Sequence, residues 1–142
     1  MRFHQGKYKI KNPKKYRGDF KKIIYRSSYE LKMMRWCDSN SSVLKWNSEE
    51  VVIPYVCRTD GKTHRYYMDF WIRQIDEKGE IKDKLIEIKP YAQTQPPKKG
   101  RNYKGRMLTY MKNISKWEAA KEWSESHGCT FHIITEKQLN IK

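Results

Sequence analysis

Two acidic residues and one lysine give the sequence its clearest chemical signal. Asp69 lies in a stretch of alternating polar and apolar residues, and Glu87 and Lys89 lie two residues apart in the next such stretch. The turn sequence at 76–79 (Asp-Glu-Lys-Gly) joins the two stretches, which predicts an antiparallel hairpin. In a simple hairpin around this turn, Asp69 is opposite Glu87 or within one residue of it, and Lys89 shares the face of Glu87.

Such a trio could bind a divalent cation and act on a phosphate. Two close carboxylates repel each other unless a cation lies between them, and Mg²⁺ prefers oxygen ligands. A bound Mg²⁺ would polarise a phosphodiester and activate a water, while Lys89 would stabilise negative charge. An ion pair between Lys89 and either carboxylate on an exposed sheet face explains the same spacing, and the spacing alone does not decide between the two.

A third acidic residue, Glu30, stands at the start of a predicted helix. Ser27 is placed as its N-cap, and a glutamate three residues later completes a capping box. The same glutamate falls on one helical face with Met33, Met34 and Cys37, which is the face expected to pack on the sheet. Glu30 is therefore either a capping residue only or a third acid of the site.

The positive charge of the chain is concentrated in two segments. The sequence has 142 residues and a formal net charge of +15. Residues 1–25 hold nine Lys/Arg and one acid, and residues 95–112 hold six Lys/Arg and no acid. Both segments contain interleaved tyrosines, such as Tyr8 and Tyr16, which suit stacking on bases or sugars. We interpret the segments as flexible nucleic-acid contacts, the alternative being solvated tails that only aid solubility.

The composition excludes several other classes of protein. No apolar run approaches the roughly 20 residues that a membrane span needs, so no membrane association is expected. Cys37, Cys57 and Cys129 are widely separated and lack the spacing of a zinc site, so we expect unpaired thiols in a reducing compartment. One soluble, basic domain with a polyanionic partner remains.

The pattern of turns and apolar residues predicts an α/β or α+β domain with a small mixed sheet flanked by helices. A basic N-terminal arm is predicted at 1–22, followed by one domain at 23–142 with a basic insertion at 95–112. Helices are predicted at 27–38, 115–128 and 136–139, and strands at 43–46, 51–57, 64–75, 84–89 and 130–135. The middle helix is predicted to begin at a second capping box, with Ser115 as its N-cap.

These residues resemble a known group of enzymes. Asp69 followed by Glu87-Ile-Lys, after a helix that bears a glutamate, resembles the PD-(D/E)xK nuclease superfamily. The longer stretches 25–31, 43–55, 60–70 and 86–97 look like the head completion nucleases of large tailed bacteriophages and, more distantly, TnsA-type transposon endonucleases. Met68 stands where the superfamily has its proline, but the chemistry resides in the aspartate.

The resemblance implies a restriction-endonuclease-like core and a DNA endonuclease that uses Mg²⁺, for which Mn²⁺ could substitute. The catalytic residues it implies are Glu30, Asp69, Glu87, Lys89 and, as an auxiliary, Gln93. The metal ligands would be Asp69, Glu87, Glu30 and the carbonyl of Ile88. It also implies action late in virion assembly in the host cytoplasm, with phage portal or head-completion proteins as partners and association with the virion.

Two groups of basic residues are predicted to contact DNA phosphates, largely regardless of base sequence. Arg26, Arg65 and Tyr66 lie beside catalytic positions and could contact the phosphate, although surface ion pairs explain the two arginines equally well. The full predicted set is Lys7, Lys9, Lys11, Lys14, Lys15, Arg26, Arg65, Lys98, Lys99, Arg101, Lys104 and Arg106. Cleavage of both strands by one active site would require a homodimer or two sequential nicks.

Two other functions stay open at the level of sequence. A non-catalytic DNA-binding or head-closure protein could keep the same basic segments around a vestigial site. A ribonuclease or RNA-binding protein would need the same charge distribution. Cleavage assays on DNA and RNA, with and without divalent metal, separate these readings.

Overall fold

The computed structural model describes residues 5–140 and contains eight strands and three α-helices within that range. In chain order, the elements are β1 (Gly6–Lys7), β2 (Ile24–Tyr25), α1 (Ser28–Ser39), β3 (Val43–Ser48), β4 (Val52–Val56), β5 (Thr63–Tyr67), β6 (Phe70–Ile75), β7 (Ile81–Ile88), α2 (Tyr103–Ser126), β8 (Cys129–Ile134) and α3 (Glu136–Leu139). Three short 3-10 helices add Pro13–Lys15, Phe20–Lys22 and Tyr91–Thr94.

The central sheet has four strands in the order β3-β6-β7-β8. Its first two pairs are antiparallel, and β7 pairs with β8 in parallel. The crossover from β7 to β8 runs through α2, as a parallel connection requires. The predicted α/β class, a small mixed sheet flanked by helices, is confirmed.

Each face of the sheet has its own apolar core. On one face, α1 and the N-terminal segment pack against residues such as Trp46, Phe70 and Ile88. On the other face, α2 and the β4–β5 hairpin pack against residues such as Trp71 and Leu85. Because successive strand residues point to opposite faces, β6 and β7 contribute to both cores.

The N-terminal segment from residue 5 onward packs against the domain. Strand β1 pairs with β2, and Tyr8, Tyr16 and Ile23 are buried in the core beside α1. The expectation that Tyr8 and Tyr16 stack on bases is therefore wrong, since their rings lie edge-on against Trp46. Residues 1–4 of the predicted arm and residues 141–142 of the predicted domain lie outside the described range.

The single strand predicted at 64–75 is wrong, because the chain is divided there into β5 and β6, which belong to different sheets. The division falls at Met68 and Asp69. The Met68 N–H donates to the carbonyl of Val51, and the Glu49 N–H donates to the carbonyls of Met68 and Asp69. Hydrogen bonds to the 49–51 segment thus replace the regular ladder at the position where Asp69 enters the sheet.

The helix predicted to begin at Ser115 is also placed wrongly. Helix α2 begins twelve residues earlier, after Asn102, and continues without a break to Ser126. The Ser115 hydroxyl donates to the carbonyl of Met111 and accepts the N–H of Arg58. This serine therefore lies within α2 and connects the helix to the segment that follows β4. The segment 95–112 is therefore an irregular loop followed by the first turns of α2.

The other predicted strands and helices are present, with ends shifted by at most three residues. The core face expected for the middle helix consists of Trp117, Ala120, Trp123 and Ser124. Trp117, Ala120 and Ser124 are buried, and Trp123 is partly buried against the same core. None of the helices in the range 5–140 has the length and apolar content that would let it cross a bilayer.

Candidate active site

Asp69 lies at the entrance to β6, directly beside the end of β7. The register pairs Phe70 with Ile86, which continues to Asp69 opposite Glu87. The predicted hairpin register is therefore confirmed. Asp69 Oδ2 accepts the backbone N–H of Ile88 at 2.7 Å, so one carboxylate oxygen is fixed against β7.

Glu87 is the buried member of the pair, with 6% of its surface exposed. The hydroxyl of Tyr66 donates a short hydrogen bond to Glu87 Oε2. The ammonium of Lys89 lies 3.8 Å from the other oxygen, Oε1, and its side chain is 25% exposed. Lys89 thus lies on the side of the pair that solvent and a substrate can reach.

Burial makes both carboxyl groups costly to ionise, and Glu87 adds to that cost at Asp69. Burial, then repulsion from Glu87, holds the pKa of Asp69 well above its ordinary value, and the hydrogen bond from Ile88 opposes this only in part. Burial also raises the pKa of Glu87, against the lowering effects of the Tyr66 hydroxyl and the Lys89 ammonium. A pair of this kind is stabilised by a cation between its members.

The donor set fits a hard divalent cation. The Tyr66 hydroxyl fixes one oxygen of Glu87, the Ile88 N–H fixes one oxygen of Asp69, and the two carboxyl groups lie within hydrogen-bonding reach of each other. Carboxylate oxygens are the ligands that Mg²⁺ prefers. The backbone of Ile88 borders the pair, although the structure shows its N–H and not its carbonyl engaged with Asp69.

Glu30 approaches the pair from the first turn of α1. Its N–H donates to the Ser27 hydroxyl at 3.2 Å, which confirms Ser27 as the N-cap, and that hydroxyl is 3.3 Å from Glu30 Oε2. Burial and then repulsion from Glu49 raise the pKa of Glu30. Glu30 also adds to the negative charge around Asp69. Ser27 caps α1, a capping box completed by the Glu30 side chain is not observed there, and Glu30 as a third acid of the site stays a prediction.

The three predicted acids do not form a tight cage. In the range 5–140, the group of His, Cys, Asp and Glu residues whose ligand atoms all lie within 4.8 Å is Cys57, Asp60 and His64, away from the pair. His64 Nε2 lies 2.7 Å from Asp60 Oδ2, and Asp60 Oδ1 accepts the N–H of Lys62. The Asp60 oxygens are thus already bonded within the β4–β5 turn.

Gln93 lies in the 3-10 helix after β7. It is exposed and lines a groove of about 1010 Å³ between the 91–98 segment and α2. Lys98 and Arg106 line the same groove. The groove begins where β7 ends, so its lining residues would meet a polymer that extends away from Lys89.

The predicted DNA-contacting residues fall into two groups. Most of them are exposed and present their charge to solvent: Lys7, Lys9, Lys11, Lys14, Arg65, Lys98, Lys99, Arg101 and Lys104. Three of them already have protein partners. Lys15 Nζ donates to the carbonyls of Cys37, Asp38 and Asn40 at the end of α1.

The other two partnered residues are arginines. Arg26 forms a two-pronged ion pair with Glu49, at 2.8 and 3.2 Å. Arg106 donates to the carbonyls of Lys98 and Arg101 and so holds the basic loop against α2. Both remain exposed, so these bonds fix the position of the charge without removing it from the surface.

Three residues near the pair were missed or misjudged from the sequence. Tyr66 was expected at most to contact phosphate, but its hydroxyl is bound to Glu87. Glu49, which has a positive φ of 58°, contributes negative charge beside Glu30. Lys116 on α2 lies over the Tyr66 ring. The predicted helix already contained Lys116, but its contact with Tyr66 joins segments 50 residues apart, which no local pattern indicates.

Comparison with known proteins assigns the chain to a family. Residues 40–136, which include Asp69, Glu87 and Lys89, match the family model described as TnsA-like endonuclease N terminal. The chain is also 41% identical over 144 residues to the head completion nuclease of Enterobacteria phage T4, a match that covers 96% of this chain and 93% of the relative. No solved structure matches the chain. The mixed sheet flanked by helices is consistent with both matches, and the chain belongs to the TnsA-like endonuclease family.

Proposed function

We propose that this protein is a metal-dependent DNA endonuclease that hydrolyses phosphodiester bonds during phage head completion, after DNA packaging. The observation that carries the proposal is the convergence of Asp69 and Glu87 at the β6–β7 junction, with Lys89 at the exposed side of the pair. The name of the T4 relative supports the biological setting.

The metal in this proposal is Mg²⁺, with Mn²⁺ as a substitute. Asp69 and Glu87 would hold it, the Ile88 carbonyl would be a further ligand, and Glu30 would contribute directly or by orienting a bound water. When bound, the ion would activate a water and stabilise charge on the phosphate. The raised pKa values of both carboxyl groups support the proposal, because a divalent cation would compensate the repulsion that causes part of the shift at Asp69.

The protein side chains have separate tasks. Tyr66 fixes one oxygen of Glu87, and the Ile88 N–H fixes one oxygen of Asp69, so both carboxylates are oriented before substrate binds. Lys89 orients the attacking water or stabilises negative charge on the phosphate. Gln93, Lys98 and Arg106 would hold the DNA backbone in the groove that leads from the site.

The partners and location follow from this role. DNA is the substrate, and the exposed lysines of the two basic segments supply affinity that is largely independent of sequence. Phage portal or head-completion proteins are the proposed protein partners, in the host cytoplasm during assembly and then at the virion. Cleavage of both strands would need a homodimer or two successive nicks.

Cleavage of supercoiled plasmid tests the proposal directly. The wild type is expected to nick or linearise the plasmid with Mg²⁺ or Mn²⁺ and to leave it intact with EDTA. Asp69→Ala and Lys89→Ala are expected to leave it intact with either metal. A wild type inactive with every metal, or an active Asp69→Ala variant, would contradict the catalytic assignment and favour a non-catalytic DNA-binding or head-closure protein.

A further inference from the structure

Helix α2 brings a half-buried lysine to the carboxylate pair. Lys116 has no hydrogen-bond acceptor and no ion-pair partner within 4.0 Å among residues 5–140. Its Nζ lies 5.3 Å from the centroid of the Tyr66 ring, the ring whose hydroxyl donates to Glu87. Among residues 5–140, the fully buried side-chain atoms without a partner are Trp46 Nε1, Asn47 Oδ1 and Trp117 Nε1, so the Lys116 ammonium still reaches solvent and is open to a ligand.

The charges around Lys116 show which kind of partner would fit. Glu87 and Asp69 attract its ammonium, whereas Lys89 and Lys112 repel it. Burial is the largest influence and lowers the pKa of Lys116. The carboxylates draw the ammonium toward the site but do not bond to it, so its donors are free to bind an additional anion beside the pair.

The packing of α2 gives no structural reason for a lysine at this position. The core contacts of this part of the helix come from Trp117, Ala120 and Ser124. Glu87 already has a closer cation in Lys89, at 3.8 Å. An apolar chain of similar length could cover the Tyr66 ring, but it would lack the attraction of the ammonium to that ring and to the carboxylates, so the charge distinguishes this position.

Helical spacing connects Lys116 to the groove. Arg106, Thr109 and Asn113 line the groove at intervals of three and four residues, which places them along one side of α2. Lys116 follows Asn113 by three residues and continues that line to the carboxylates. A DNA strand lying in the groove would therefore pass Lys116 as its backbone reaches the site.

We propose that Lys116 binds a non-bridging oxygen of the scissile phosphate from the α2 side, opposite the approach of Lys89. Tyr66 supports this contact from below, holding Glu87 with its hydroxyl and the lysine with its ring. The inference rests on the proposed endonuclease function. The inference adds a phosphate-binding residue on α2, a helix that contains none of Asp69, Glu87 and Lys89.

The test compares Lys116→Met with Lys116→Arg under single-turnover conditions, using supercoiled plasmid, Mg²⁺ and excess protein. Lys116→Met is expected to lower the cleavage rate at saturating protein by about 10²-fold, the size of effect seen when one donor to a developing negative charge is removed. Lys116→Arg keeps the charge and is expected to recover most of that loss. Lys121→Met, an exposed lysine of the same helix, is the matched control and should cleave like the wild type.

Two further measurements separate phosphate binding from a structural role or a simple contribution to affinity. DNA binding is measured with each substitution in an Asp69→Asn background, where the equilibrium dissociation constant is expected to change by less than about 5-fold. Thermal melting of each variant shows whether the fold is intact. If Lys116→Met melts too low to assay, Lys116→Gln is the replacement variant with the same expectation.

The outcomes overturn the inference separately from the proposed function. A folded Lys116→Met variant that cleaves at the wild-type rate, while the wild type cleaves, would overturn the inference and leave the endonuclease function intact. A loss confined to DNA affinity, or a folded Lys116→Arg variant as slow as Lys116→Met, would overturn it in the same way. The same holds if the Lys116 variants only unfold more easily and their cleavage rate per folded molecule equals that of the wild type. A wild type that cleaves under no condition would overturn both.

Discussion

The molecule contains two buried acidic sites that use the same residue types in opposite ways. Asp38, at the end of α1, is 2% exposed and accepts hydrogen bonds from the Tyr8 hydroxyl and from the N–H groups of Lys11 and Asn12, at 2.7 to 2.9 Å. Burial alone would raise the pKa of Asp38, but these hydrogen bonds hold it below its ordinary value. Asp38 is therefore charged and complete within the protein.

The pair at the β6–β7 junction is incomplete in comparison. Asp69 accepts one backbone N–H, and Glu87 accepts one hydroxyl. Burial raises the pKa of each group, and repulsion from Glu87 adds to the shift at Asp69. The difference between the two sites is what surrounds the carboxylate. Three donors of the N-terminal segment meet the charge of Asp38 and tie that segment to α1, whereas Asp69 lies against a second carboxyl group that repels its charge, an arrangement suited to bind a cation.

The largest expected effect is the loss of cleavage in Asp69→Asn. The amide keeps the shape of the carboxylate and can still accept the Ile88 N–H, but it loses the charge that would bind a metal. We expect the single-turnover rate with Mg²⁺ to fall by roughly 10³-fold or more. The melting temperature should not fall, because the substitution removes a repulsion. A variant with a rate within about 10-fold of the wild type would contradict the assigned role.

The same substitution at the other site should affect stability. In Asp38→Asn, the single amide oxygen cannot satisfy three donors, and the amide nitrogen faces N–H groups. We expect the free energy of unfolding in urea to fall by about 3 kcal/mol. Cleavage measured well below the melting temperature should stay near the wild-type rate. Unchanged stability would show that the N-terminal segment is not held by Asp38, and lost cleavage in folded protein would erase the contrast between the two sites.

The position of the pair could be predicted from the sequence because it depends on local information. A short turn at 76–79 sets the register of the hairpin, and the register sets Asp69 opposite Glu87. Two-residue alternation then places Lys89 beside Glu87. The α1 cap was predictable for the same reason, since Ser27 and Glu30 are three residues apart.

The features that could not be predicted depend on contacts between distant segments. The long strand is divided at Met68 because Met68 and Asp69 form hydrogen bonds with Glu49 and Val51. No local sequence pattern indicates these bonds. Ser115 has the sequence context of an N-cap, but it lies within α2 and its hydroxyl also accepts the N–H of Arg58, 57 positions away. The place of Lys116 over Tyr66 follows from how α2 packs.

A smaller effect on cleavage is expected from Tyr66→Phe. The substitution removes the hydroxyl that donates to Glu87 and retains the ring beneath Lys116. Loss of a hydrogen bond that orients a metal-binding side chain typically costs 10- to 100-fold in metal affinity or activity, so we expect a decrease of about 10-fold in rate at limiting Mg²⁺. Tyr67→Phe is the matched control, because Tyr67 is adjacent and 51% exposed. Equal rates for the two variants would show that the hydroxyl does not orient Glu87.

The smallest expected effect is on the pH dependence of stability, measured in EDTA. A carboxyl group with a raised pKa in the folded state binds more protons than in the unfolded state, so its contribution to stability is present at low pH and is lost as pH rises through the folded pKa. Asp69 and Glu87 are such groups, whereas the lowered pKa of Asp38 gives the opposite dependence.

Asp69→Asn should therefore melt about 3 °C higher than the wild type at pH 8, and the difference should shrink toward pH 4, where the wild-type pair is increasingly protonated. Added Mg²⁺ should raise the melting temperature of the wild type more than that of the variant, because only the wild type has both carboxylates. Melting curves at several pH values, with EDTA and then with Mg²⁺, measure both differences. If the melting temperatures of Asp69→Asn and the wild type differed by the same amount at all pH values, repulsion between Asp69 and Glu87 would not destabilise the metal-free protein. The two buried acidic sites would then differ only in geometry.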